Sequence, residues 1–358
     1  MQLEGREAQS LIEELFPQTS RFEVLKPKGP VFIKGPVAKR LKRYEGNPIL
    51  RPVKEHGWES RFVFNPAAIR LKGKIYLLYR AMGEDMVSRI GLAVLDQTGK
   101  RVIERLTEPI FWPVEDWEEL GCEDPRLVLL EGRLWMLYTA YSRAVAQIAL
   151  ASIDPEDFLL GRWEKWQRHG LLFPGESNKD AFLFPERIDG KFVLVHRVEP
   201  AMWISFSKVI SCPWPSMEHS ILMGPRSGDM WDSLKIGAGA PPLKTRYGWL
   251  LIYHGVDRRS IYRLGSLLLD IEDPKWILYR SPNPILEPLE PYEKGETGCQ
   301  VPNVVFTCGA VPQEETEILS FEDEVLIYYG AADTVIALAT GKVGDMVPWP
   351  IGIERWWG

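Results

Sequence analysis

The sequence predicts an all-β protein, a five-bladed β-propeller with a short N-terminal helical extension. Three observations lead there. Five segments share one pattern, IYLLYRA (75–81), LWMLYTA (134–140), FVLVHRV (192–198), WLLIYHG (249–255) and VLIYYGA (325–331), each an apolar run closing on an aromatic ring. The matching rings, Tyr79, Tyr138, His196, Tyr253 and Tyr328, are spaced by 59, 58, 57 and 75 residues, a period suited to blades of four strands. Each run also follows a turn (KGK, EGR, DGK, RYG, FEDE), with another short strand such as AAIRL or RLVLL ahead of it, so each unit reads as a hairpin. A two-sheet sandwich also uses hairpins but does not account for such even spacing.

In chain order, Leu11, Ile12, Leu15 and Phe16 fall at helical spacing and predict one amphipathic helix over the first 16 residues. That helix belongs to an extension spanning 1–45, and the propeller is expected over 46–358. Counting back 14 residues from each ring locates the start of the innermost strand: Asn65 in NPAAI, Asp124 in DPRLV and Gly239 in blade four. Blade three is two residues longer, and its counterpart is Asp180 in KDAFLF; blade five carries VPNVVF at 301–306. In a propeller these strand ends crowd around a central funnel, so polar residues there meet although they are distant in sequence. The residues after the rings form a second set, Arg80, Thr139, Arg197, His254 and Tyr329, with Lys179 just ahead of the third inner strand.

Composition narrows the function. With 358 residues, 45% of them hydrophobic, the chain has ample material for a core. A net charge of -6, with no basic run longer than KRLKR (39–43), argues against a nucleic-acid or anionic-membrane partner. No secretory signal and no run of 18 apolar residues is present. The four cysteines lack C-x-x-C spacing, as expected of reduced thiols in a cytoplasmic protein. Neither a metal-ligand spacing among the histidines nor a nucleotide-binding glycine motif occurs, so no cofactor is expected. Fourteen tryptophans suit a sugar-binding cleft and a large core alike.

The predicted funnel holds one acid at a strand start, Asp124, beside Glu123, and a basic group of Lys179, Arg197 and His254, with Asp333 after the fifth blade's run. Converging cations need an anion. Arginine with lysine suits phosphate, and a positioned carboxyl can protonate a leaving oxygen. Together they describe cleavage of a glycosidic bond with phosphate as the nucleophile. An inverting hydrolase needs a second carboxylate instead, for which Glu123, Asp180, Asp257 and Asp333 are available. A non-catalytic carbohydrate-binding propeller gains nothing from cations beside an acid. Glu123 is expected to point to the other side of an extended strand and to matter less than Asp124.

The segments FNPAAI, EDPRL, SNKDAFLFPERIDGKFVLVHR, KIGAGAPP, GWLLIYHGVD, VPNVVF and YYGAADT carry a resemblance, running from GNPIL at 46 to 334, to glycoside hydrolase family 130, the β-mannoside phosphorylases and related β-mannosidases. The resemblance implies a five-bladed propeller and inverting phosphorolysis of a β-linked mannoside, giving α-mannose 1-phosphate and a shortened acceptor. It implies Asp124 as proton donor, acting through the 3-hydroxyl of the departing mannosyl unit. It further implies phosphate binding by Lys179, Arg197 and His254, with Tyr329 as a further candidate, and mannosyl binding by Asn65, Arg80 and Asp333. Phosphate is then a co-substrate, the β-mannoside is the other partner, and a homo-oligomer is left open.

Overall fold

The computed structural model describes residues 37–296 and 298–348; the helix expected within residues 1–16 lies outside them. The described chain opens on β1 (Lys42–Arg43) and then builds blades in sequence order. Blade one is β2 (Phe62–Leu71), β3 (Lys74–Met82), β4 (Arg89–Leu95) and β5 (Val102–Arg105). Blade two is β6 (Gly121–Leu130), β7 (Arg133–Tyr141), β8 (Ala146–Ile153) and β9 (Gln167–Leu171). Blade three is β10 (Lys179–Leu183), β11 (Phe192–Val198), β12 (Ala201–Ser207) and β13 (Glu218–Met223). Blade four has an interrupted inner strand, β14 (Lys235–Ala238) and β15 (Leu243–Thr245), followed by β16 (Gly248–Val256), β17 (Tyr262–Leu269) and β18 (Ile277–Arg280). Blade five is β19 (Val305–Pro312), β20 (Glu324–Ala331) and β21 (Val335–Lys342).

Each blade is an antiparallel sheet, and β1 supplies the outer strand of blade five by pairing with β21. The start of the propeller therefore moves forward from residue 46. Ala38 and Leu41 are buried in the core between blades four and five, and two paired residues close the ring by covering the free edge of β21. A strand of two residues carries no periodicity, so a boundary drawn from the repeats at residue 46 falls after it.

The core is divided among the blade interfaces. Alternate faces of each strand pack on the preceding and the following blade, so runs such as WLLIY are apolar on both sides. Four of the five interfaces contain the same strut, a buried tyrosine whose hydroxyl donates to a buried carboxylate that also binds an outer-strand arginine. Tyr79 donates to Glu59 (2.8 Å), which binds Arg105; Tyr138 donates to Glu118, which binds Arg168. Tyr253 donates to Asp232 (2.9 Å), which binds Arg280. The fourth member is Tyr329, which donates to Glu293 (2.8 Å), held in turn by Arg43 of β1. Blade three substitutes a neutral set: His196 meets Asn178 at 3.0 Å and His219 at 2.9 Å.

This strut corrects the register of blade five. Tyr79, Tyr138 and Tyr253 each pack with residues of the preceding blade, and so does Tyr329, which lies with Leu250 and Leu264. Tyr328 faces the other way, onto Ile75 of blade one. The structural counterpart of Tyr79 is thus Tyr329, and the residue facing the funnel after it is Gly330. A strand alternates with period two, so a slip of one residue exchanges the two faces. A sequence signal for the register exists in the aromatic–acid pairs Trp58-Glu59, Trp117-Glu118, Trp231-Asp232 and Tyr292-Glu293, which recur ahead of four of the five blades.

Candidate active site

The inner strands of blades one to three begin on a shared irregularity. Asn65, Asp124 and Asp180 have φ of 47°, 49° and 55°, and the pairing register shifts at each, between Phe64 and Ala67, Glu123 and Arg126, and Lys179 and Phe182. Asn and Asp tolerate the left-handed region better than other side chains apart from glycine, and a bulge there re-aims the side chains beside it. The bulge breaks strand alternation, so neighbours that should point apart both reach the funnel. Glu123 is the clearest case. Expected on the far side of the strand, it instead accepts from Arg80 Nη2 at 2.6 Å and lies 3.4 Å from Lys179 Nζ.

Two linked clusters result. In the first, Asp124 Oδ1 accepts from Asn65 Nδ2 at 2.9 Å and, at the longer distance of 3.4 Å, from Arg80 Nη1. Both bonds fall on Oδ1, and Oδ2 has no hydrogen-bond partner among the described residues. Arg80 is further braced by Ser88 Oγ (2.9 Å). Gly330 lies against this group, where a Cβ would come within 2.3 Å of Asn65 Oδ1, so no larger residue fits without displacing Asn65.

The second cluster centres on Asp180, buried between Arg197 Nη1 (2.9 Å), Arg126 Nη2 (3.2 Å) and His254 Nε2 (3.6 Å). Burial opposes its ionisation, but the cations Arg197, Arg126 and Lys179 overcome it and hold the carboxyl well below the usual range. Gly237 gives this packing room, since a Cβ there would come within 2.4 Å of the His254 ring. Arg126, the arginine of EDPR, is almost fully buried and bonds the carbonyls of Asp124, Ala238 and Gly239. It therefore ties blades two, three and four together beneath the site, a role that its place in the motif did not reveal.

His254 departs from its expected role as a cation. Burial pulls it down to about 3 despite the nearby Asp180, with Arg197 and Arg126 adding to the effect. The ring is neutral near pH 7. Arginine can only donate, so Nε2 accepts from Arg197 Nη1 (3.3 Å) and Nδ1 carries the hydrogen. That Nδ1 and Arg197 Nε are buried donors with no hydrogen-bond partner among the described residues. Half-buried Tyr262 stacks on His254, ring centroids 6.0 Å apart.

Asp333 sits at the tip of the β20–β21 hairpin, where Ala332 and Asp333 both have φ of 47°. Neither is the asparagine–glycine that such turns favour. Burial pushes its carboxyl up to about 7; Arg80 and Lys179 oppose this, while Asp124 and Glu123 add to it. The structure thus brings Asn65, Arg80, Asp124, Lys179 and Asp333 to one side of the funnel and Arg197 and His254 to the other. It does not bring Tyr329, whose hydroxyl is engaged with Glu293 in the blade interface. Among the described residues no helix is long and apolar enough to cross a membrane, and no group of three or more His, Cys, Asp or Glu could hold a metal ion.

Comparison with known proteins identifies the family of the chain. The family profile of glycoside hydrolase family 130, described as β-1,4-mannooligosaccharide phosphorylase, matches residues 34–350. A 1,2-β-oligomannan phosphorylase of Thermoanaerobacter sp. (strain X514) is 38% identical over 314 residues, covering 86% of this chain and 99% of that protein. A β-1,2-mannobiose phosphorylase of the same strain is 39% identical, covering 84% and 96%. The solved β-1,2-mannobiose phosphorylase of Listeria innocua, in complex with β-1,2-mannobiose, matches with a TM-score of 0.72 at 26% identity, over 86% of this chain and 98% of its own. The chain belongs to glycoside hydrolase family 130.

Proposed function

We propose that the protein is an inverting phosphorylase that cleaves a β-1,2-linked mannoside with inorganic phosphate, giving α-mannose 1-phosphate and a shortened acceptor. The observation that carries this reading is one carboxyl with a free oxygen, Asp124, beside Lys179 and across the funnel from Arg197 and His254, whose Nε and Nδ1 are unpartnered buried donors. The β-1,2 linkage is chosen because the relatives at 38% and 39% identity are both named for it.

In the proposed reaction a phosphate oxygen attacks the anomeric carbon from the face opposite the leaving group. The new C–O bond forms as the glycosidic C–O bond breaks, and the configuration inverts. Asp124 gives up a proton that reaches the leaving oxygen, and the phosphomonoester formed releases one in return. Lys179 and Arg197 offset the negative charge of the incoming phosphate, and the neutral His254 contributes a hydrogen bond without a charge. Asn65 and Arg80 hold the mannosyl unit, and the Asp333 carboxyl accepts from its hydroxyls.

Turnover of a β-1,2- and β-1,4-mannobiose panel, with and without phosphate, tests the reading. Phosphate-dependent release of mannose 1-phosphate from the β-1,2 compound is expected. Equal cleavage in phosphate-free buffer would make the protein a mannosidase and overturn it.

A further inference from the structure

Glu123 has a position that the proposed reaction does not use. It is 3% exposed and carries no sugar or phosphate role in the proposed scheme, yet it bridges blades one and three. One oxygen takes Arg80 of blade one at 2.6 Å and the other faces Lys179 of blade three at 3.4 Å. The same Arg80 reaches Asp124 only at 3.4 Å. Arg80 therefore gives its short contact to Glu123 and its long one to the proposed donor. An arginine bonded closely to a carboxyl favours the ionised form, which cannot donate.

We infer that Glu123 is a positioning residue that takes the short contact of Arg80, leaving the donor Asp124 only the long one, and restrains Lys179 until phosphate draws it off. This rests on Asp124 being the proton donor. Phosphate binding then exchanges one anionic partner of Lys179 for another. The remaining charged or titratable groups around the pair are Asp333 on the β20–β21 turn, Asp180 on β10, Arg126 on β6 and the buried Cys308 on β19. Asp333 feels the loss of Glu123 with the same sign as Asp124, so the direction of the expected change does not depend on which of the two dominates.

Glu123→Gln keeps the shape and removes the charge. Two effects are expected together. With Arg80 turned onto Asp124, the alkaline fall of kcat should move to lower pH. Freed from Glu123, Lys179 should bind phosphate better, lowering its apparent KM about two- to fivefold, as suits a partly exposed pair. Glu123→Asp retains the charge and should restore the pH profile in part. A merely structural glutamate would lower kcat at every pH and leave the profile in place. An unmoved pH limb, or a phosphate KM that stays the same or rises, overturns the inference. Asp124→Asn separates it from the parent reading: if that variant stays active, the donor assignment fails; if it is dead while Glu123→Gln leaves the limb unmoved, this inference alone fails.

Discussion

Replacing Tyr329 with phenylalanine distinguishes a strut from a ligand. The hydroxyl is fully buried and donates to Glu293 Oε1 at 2.8 Å. A hydrogen bond to a charged partner contributes about 1.5–3 kcal/mol, but Glu293 would not be left bare. Arg43 still donates to both of its oxygens, at 2.8 and 2.7 Å, and the backbone amides of Leu289 and Glu290 donate to Oε2. The lower end of the range therefore applies, about 1.5–2 kcal/mol. Phenylalanine fills the same space, so no cavity term is added. Urea unfolding should show a lower midpoint with an unchanged slope, while the apparent KM for phosphate stays within about twofold, since a residue without contact to the anion makes no charge-assisted bond to lose. The result that would refute this is the reverse: native stability together with a phosphate KM raised by about tenfold, the loss expected for one direct contact. The corrected register of blade five would then be wrong, and Gly330 would not face the funnel.

Other substitutions probe the funnel itself. Asp124→Asn should keep the fold and lower kcat by about 10²- to 10⁴-fold, because the amide has the shape but not the proton; full activity would make Asp124 a turn residue only. Lys179→Ala should raise the phosphate KM by about tenfold or more with native stability, since Lys179 is partly exposed and its ion pair with Glu123 is long, at 3.4 Å. Arg197→Ala should raise the phosphate KM as well but also cost about 3–5 kcal/mol of stability, because it removes a buried partner of Asp180; equal melting behaviour of the two variants would contradict the pairing. Asp333→Asn tests the raised carboxyl. A group lifted from 3.8 to about 7 burdens the folded state as it is forced to ionise. That burden is absent below pH 4, grows between about pH 4 and 7, and is complete above. The variant should therefore gain on the parent across that window, as urea midpoints at pH 5 and pH 8 would show, and a constant difference would mean the group titrates normally.

Much of this protein can be read directly from its residues. The period near 58, the apolar runs closing on rings, and the acids or amides at the same offset specify five blades and put Asn65, Asp124 and Asp180 at equivalent strand starts. They do so because blade packing imposes the same demands at each repeat. Local pattern was silent wherever the answer depended on a distant partner. Alternation placed Glu123 away from the site; the positive φ at Asp124, set by the bulge against β7, turned it in. Alignment of apolar runs matched Tyr328 to the other rings, whereas the carboxylate of Glu293, 36 residues from Tyr329 in sequence, shows which tyrosine is the strut. Histidine beside cations reads as a further cation, whereas its burial, with Arg197 and Arg126 beside it, makes His254 neutral. A charge state, a bulge and a strand of two residues are properties of neighbours brought together by the fold, and no single segment of the chain contains them.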